Sequence, residues 1–143
     1  MNPQQALLLL AQGIQSDLAD YERLRGMLEE QFAAALRHDT PALARLAEDI
    51  GMLCAALEVR RGERVTLVNA LVGPEVPPAG RVEAVFARLP GRYRTAAETL
   101  WQGLGERVAA CKALNVRNGA LLTEQHDIMQ RVLGTESDTY APR

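Results

Sequence analysis

The chain alternates between long runs, in which apolar residues return every three or four positions, and short polar breaks. The first run holds Leu7, Leu10, Ile14, Leu18, Tyr21, Leu24, Leu28, Phe32 and Leu36. That spacing is one face of a 3.6-residue repeat, so it predicts an amphipathic helix from Asn2-Pro3 to about His38. Asn suits the position just before a first turn. Pro suits the turn itself, where a missing N–H costs nothing. At 1.5 Å per residue this helix is on the order of 50 Å long. Asp39-Thr40-Pro41 breaks the run and starts the next helix, with Asp39 or Thr40 as its cap.

The second run carries Leu43, Leu46, Ile50, Leu53, Leu57, Val65, Val68 and Leu71. So short a turn between two long helices folds them antiparallel. Arg60, Arg61 and Arg64 interrupt the seam. With Glu58 and Glu63 beside them, they read as a solvated face with local charge pairs. The stretch Gly73-Pro74-Glu75-Val76-Pro77-Pro78-Ala79-Gly80 cannot continue a helix. Val82, Val85, Phe86 and Leu89 then mark one face of a brief helix that closes an end of the bundle. Pro90-Gly91 ends it. The last long helix starts either at a capping box of Thr95 and Glu98 or a turn earlier, near Arg92. Its expected end is Gly134, a residue type suited to a helix C-cap. The expected fold is all-α, an elongated antiparallel bundle of three long helices plus one short helix. Residues 1–134 form a single domain and residues 135–143 a flexible C-terminal tail in this reading.

Composition supports helix over sheet. Apolar residues make up 48% of the chain but aromatics only 4%, and strands favour aromatic and β-branched residues. The net charge of -2 gives no electrostatic reason to expect nucleic acid. Leu7–Leu10 is too short and too soon diluted for a membrane span, so no stable membrane insertion and a cytoplasmic location are expected. Cys54 and Cys111 both fall on apolar helical faces and read as small core residues.

Catalytic chemistry is not legible. His38 lies at a helix end and His126 on the polar side of the last helix, and neither has partners at metal-ligand spacing. Glu124-Gln125-His126 lacks the Glu-x-x-His spacing of a di-iron bundle. No phosphate loop, Cys-x-x-Cys pair or nucleophile elbow is present. The reading is a protein that is not an enzyme and takes no cofactor.

What stands out is the last helix. Trp101, Leu104, Val108, Cys111, Leu122, Met129 and Val132 form one apolar stripe, and Leu100, Leu114, Leu121 and Ile128 form a second, with Val116 and Leu133 beside it. Such width suits either burial against two neighbours or an open groove that receives an amphipathic helix. Asn115 and Asn118 sit inside the stripe, and Gln125 follows one heptad after Asn118. Amides in an apolar seam lower stability and set register or partner choice. A seam of Leu114, Asn118, Leu121 and Gln125 makes Asn118 the inward amide and leaves Asn115 flanking.

The segment Leu114-Asn115-Val116-Arg117-Asn118-Gly119-Ala120-Leu121-Leu122 resembles the FlgN-type flagellar export chaperones, with their two asparagines in N-x-x-N followed by small and apolar residues. The long leucine-rich first helix, the charged turn near Asp39, the late Arg64, Gly73, Trp101 and the tail tyrosine fit as well. The resemblance implies a cytosolic helical chaperone for the hook-associated (hook–filament junction) proteins. Such a chaperone holds their C-terminal helical segments unassembled and delivers them to the flagellar type III export gate or its ATPase complex. It implies cargo contact around Leu114, Asn118, Leu121, Leu122, Gln125, Ile128, Met129 and Val132, and gate docking at Tyr140. The second reading from the residues is a structural coiled-coil or bundle subunit of a cytoplasmic assembly. The sequence leaves the oligomeric state open.

Overall fold

The computed structural model describes the backbone of residues 2–140 and the side chains of residues 2–134. Four helices follow in order: α1 Pro3–Leu36, α2 Thr40–Leu71, α3 Arg81–Phe86 and α4 Gly91–Tyr140. A 3-10 turn at Pro78–Gly80 leads into α3, and no strand occurs among the described residues. The three long helices run up, down and up. α2 is therefore antiparallel to α1, while α4 runs parallel to it.

The two helices of the first hairpin begin and end on recognisable chemistry. Asn2 caps α1 in a full capping box: its side chain accepts from the Gln5 N–H at 2.8 Å, and the Gln5 side chain accepts from the Asn2 N–H at 3.2 Å. At the other end His38 takes a left-handed conformation, φ 56°. The His38 N–H then donates to the Ala35 carbonyl and the Asp39 N–H to the Ala34 carbonyl. These two bonds are a Schellman closure, which satisfies carbonyls that α1 leaves open. Asp39 turns at once to the next helix, its carboxylate accepting from the Ala42 N–H at 3.2 Å. One residue thus closes α1 and opens α2. Arg88 covers the far end of α2 by donating to the Leu71 carbonyl.

One boundary left open is decided and one differs from expectation. α4 starts at Gly91, and the Thr95 hydroxyl donates back to the Gly91 carbonyl at 3.1 Å instead of capping a later start. The earlier of the two starts is therefore the one used. α4 also continues through Gly134 to Tyr140. No glycine among the described residues has positive φ, so Gly134 is an ordinary helical residue there and not a cap.

The core falls into three segments along the bundle. At the end closed by α3, Leu10 and Ile14 of α1, Val68 of α2, Val85 and Phe86 of α3 and Leu104 of α4 are buried together. The middle segment joins Leu24, Leu28, Leu53, Leu57 and Cys111. Near the α1–α2 turn the core narrows to Ala34, Ala42 and Leu46, where the two alanines let the backbones approach. A fully buried large apolar side chain contributes roughly 1.5–3 kcal/mol, so the α3 end is the best stabilised. Trp101 ties that end together. Its indole N–H donates to Glu83 at 3.1 Å, its ring meets the edge of Phe86 at 6.5 Å, and the Arg64 guanidinium lies 5.5 Å from its ring centroid.

The arginine interruption of α2 is only partly a solvated face. Arg61 pairs with Glu58 as expected, at 2.7 Å. Arg60 and Arg64 instead reach across to α1. Arg64 donates to Asp17 at 2.5 Å, and Arg60 sits 2.9 Å from Asp17 and 2.6 Å from Asp20. Asp17 is almost fully buried. Its Oδ1 faces Arg60 Nη1 off the hydrogen-bonding angle, and neither atom has another hydrogen-bond partner among the described residues, so that contact is Coulombic alone. Cys54 also departs from expectation: it is exposed, while Cys111 is buried. The apolar spacing of α2 is wider than the face that α1 covers.

Candidate partner-binding face of the last helix

α4 is held to α1 by side chains that donate to backbone carbonyls at a fixed interval. The Cys111 thiol donates to the Tyr21 carbonyl at 3.5 Å, the Asn118 amide to the Leu28 carbonyl at 2.7 Å, and the Gln125 amide to the Ala35 carbonyl at 2.9 Å. Donors and acceptors alike are seven residues apart. Helices that meet at every second turn keep one face together for as long as the repeat holds. Burial pushes the Cys111 thiol up from its ordinary value, which keeps it a protonated donor.

Asn118 is 2% exposed and fully engaged. Its N–H groups donate to the Leu28 carbonyl and to Gln31 at 2.9 Å. Its carbonyl accepts from Arg117 Nε and Nη2, both at 3.1 Å. Those are the two donor and two acceptor positions an amide has. Arg117 is itself fixed, 3.8 Å over the Phe32 ring and 3.2 Å from Glu29. Asn118 is the inward amide and Asn115 is exposed, as the seam argument expects.

The residues implied by the resemblance whose side chains are described therefore fall into three groups. Leu114, half-buried, packs against the middle core and Asn118 is saturated inside the chain, so both help to hold α4 in place. Leu121, Leu122 and Gln125 are half-buried at the edge of that contact. Beyond Gln125, α4 has passed the end of α1. Among the described residues no Cα of α2 comes within 8 Å of a Cα of α4. Ile128 is 46% exposed, Met129 59%, Val132 55% and Leu133 55%. The seam that α1 covers up to Gln125 continues uncovered. Leu36, the last apolar residue of α1, is exposed at the same end. It escapes a reading from periodicity because the repeat gives no sign of where burial stops. Tyr140 lies outside the residues whose side chains are described.

No cluster of His, Cys, Asp or Glu that could hold a metal occurs among the described residues, and no helix there is long and apolar enough to cross a membrane. Fold and site together define an all-α bundle with a run of uncovered apolar side chains on the end of α4 that projects past α1. The family described as FlgN protein matches residues 9–135, while no curated protein and no solved structure matches the chain. The chain belongs to the FlgN family, a family of flagellar export chaperones.

Proposed function

We propose that this chain is a cytosolic chaperone for hook-associated proteins. It binds their C-terminal helical segments, keeps them from assembling early, and delivers them to the export gate or its ATPase complex. The observation that carries the reading is the uncovered seam at Ile128, Met129 and Val132. An amphipathic cargo helix laid against it, bordered by Leu121, Leu122 and Gln125, would bury several large apolar side chains. Each contributes roughly 1.5–3 kcal/mol before the cost of association is subtracted. Leu114 and Asn118 support the site from inside by fixing the helix that bears it. Tyr140 is the proposed point of gate docking.

The test is co-purification and titration with hook-associated proteins. The double variant Met129→Asp/Val132→Asp should keep the helical circular dichroism signal and lose cargo binding, because neither residue contributes to the core. Tyr140→Ala should bind cargo normally and lower export. If every hook-associated protein bound more weakly than about 100 μM, the reading would fail. A stable higher oligomer indifferent to those proteins would favour a structural subunit of a cytoplasmic assembly instead.

A further inference from the structure

The stand-off between α2 and α4 leaves a cleft of about 710 Å³ beside Trp101. Its floor is aliphatic, made by Val65, Val68 and Val72 of α2 with Val82 of α3. Arg61, Arg64 and Arg81 stand at its walls, and no carboxylate lines it. Two of these guanidiniums are already neutralised from outside the cleft. Arg61 grips Glu58 through Nε and Nη2, and Arg64 donates to Asp17. Arg81 differs. Its Nη1 donates to the Asn69 amide oxygen at 3.2 Å, and among the described residues no carboxylate pairs with it. Its Nε–Nη2 edge, the edge that Arg61 uses on Glu58, has no partner there.

Size, polarity and charge narrow what such a cleft can hold. A helix about 10 Å across with a 5.4 Å pitch fills roughly 420 Å³ per turn, so two turns of a partner helix do not fit. The volume falls instead among pockets for small molecules, about 300–1,000 Å³. Besides the arginines, the polar side-chain groups are the Asn69 amide and the Trp101 N–H. Arg81 takes the Asn69 oxygen, and Glu83 at the rim takes the Trp101 N–H. A nucleobase or a sugar would leave most of its polar edge unpaired there, at a cost for each group. A hydrocarbon chain has no such edge. One guanidinium without a counter-charge matches one negative charge and not a polyphosphate. A carboxylate meets the open edge of a guanidinium with two parallel N–H···O bonds. The other sizeable hollow, about 300 Å³ between α1 and the start of α4, is lined by no charged residue, so it lacks the group that would hold an acid.

We infer that this cleft binds a single-chain fatty acid. Its carboxylate sits on the Nε–Nη2 edge of Arg81, and its chain lies along the valines between α2 and α4, against Trp101. Asn69 fixes the guanidinium, while Glu83 and Arg64 hold the indole from its edge and its face. The site is therefore set before the ligand arrives, which lowers the cost of binding. Each methylene withdrawn from water adds to affinity. The gain levels off once the chain outruns the valine floor, which extends about 10 Å along α2. The site is separate from the uncovered end of α4 and does not rest on the cargo reading.

Laurate, titrated below its micellar concentration into the purified chain, should bind one molecule per chain with a Kd below about 100 μM by calorimetry. Octanoate, with a shorter chain, should bind at least about tenfold more weakly. Laurate brominated at its terminal carbon should quench Trp101, the single tryptophan, over the same concentration range. Dodecyltrimethylammonium, a cation on the same length of chain, and ATP should leave Trp101 fluorescence unchanged. Arg81→Gln should weaken laurate binding by about tenfold or more. Arg81→Lys, which keeps the charge but not the fork, should weaken it by about threefold. Val65→Asp, at an exposed position of the floor, should abolish it. All three variants should keep the helical circular dichroism signal. Met129→Asp/Val132→Asp should bind laurate as the parent does, so loss of cargo binding and loss of this site are read separately. No laurate binding below about 100 μM, binding without quenching by the brominated acid, indifference to Arg81→Gln, or equal binding of the cationic amphiphile would each overturn the assignment.

Discussion

His38 holds a backbone conformation that L-residues with a Cβ rarely adopt, and it does so to let α1 close and α2 open within three residues. Left-handed backbone costs an L-residue roughly 1–2 kcal/mol, and glycine avoids most of it. His38→Gly is expected to stabilise the chain by about 0.5–1 kcal/mol, read as a higher urea midpoint at unchanged slope. Asn118 is the opposite case, a polar residue whose burial is fully compensated. Asn118→Ala should cost about 2 kcal/mol, since it frees Gln31 and Arg117 and opens a gap under Leu28. Asn115→Ala should stay within about 0.5 kcal/mol of the parent. From sequence these two asparagines look alike. Only their place in the heptad separates them, and that clue suffices.

Between elements, the ion cluster of α1 and α2 is the feature least legible in the sequence. Arg60 and Arg64 have acids at helical spacing nearby, and local pairing is the natural expectation. Their partners lie on another helix, 40 and 47 residues away, and no local pattern announces them. Asp17 carries the larger share because it is buried between two guanidiniums. Removing one member of such a group strands the others, so Asp17→Ala should cost about 3 kcal/mol. Asp20 keeps more contact with water, and Asp20→Ala should cost less than about 1 kcal/mol. Arg60 holds the Asp20 carboxyl below its ordinary value of 3.8. The folded chain therefore binds fewer protons there than the unfolded chain. This contribution is present above the unfolded value and is lost as pH falls through the depressed folded value. Urea titrations at decreasing pH should show a shallower loss of stability below about pH 4 in Asp20→Ala than in the parent. The helices themselves are legible, because Asn2-Pro3 and Asp39-Thr40-Pro41 are local signals and the apolar repeats are long. The start of α4 at Gly91 and its passage through Gly134 are less so, since glycine and proline mark a permitted boundary and packing decides whether it is used.

In the whole molecule, α4 divides into a covered and an uncovered part. The sequence shows a stripe wider than one seam needs. It cannot show where α1 runs out, because that depends on the register between helices about 90 residues apart. Once Gln125 is seen on Ala35, the uncovered length follows.

That same fixed register has a consequence for how the chain acquires its shape. The Cys111, Asn118 and Gln125 contacts each span 90 residues, whereas α1 and α2 meet across a turn of a few. Closing a long loop costs more entropy than closing a short one, and contacts distant in sequence slow folding. The hairpin of α1 and α2 should therefore assemble first and α4 dock last. Pulse-labelling hydrogen exchange during refolding should protect the amides around Ala34, Ala42 and Leu46 before those around Asn118. The end of α4 proposed to meet other proteins would then be the last part of the chain to be positioned.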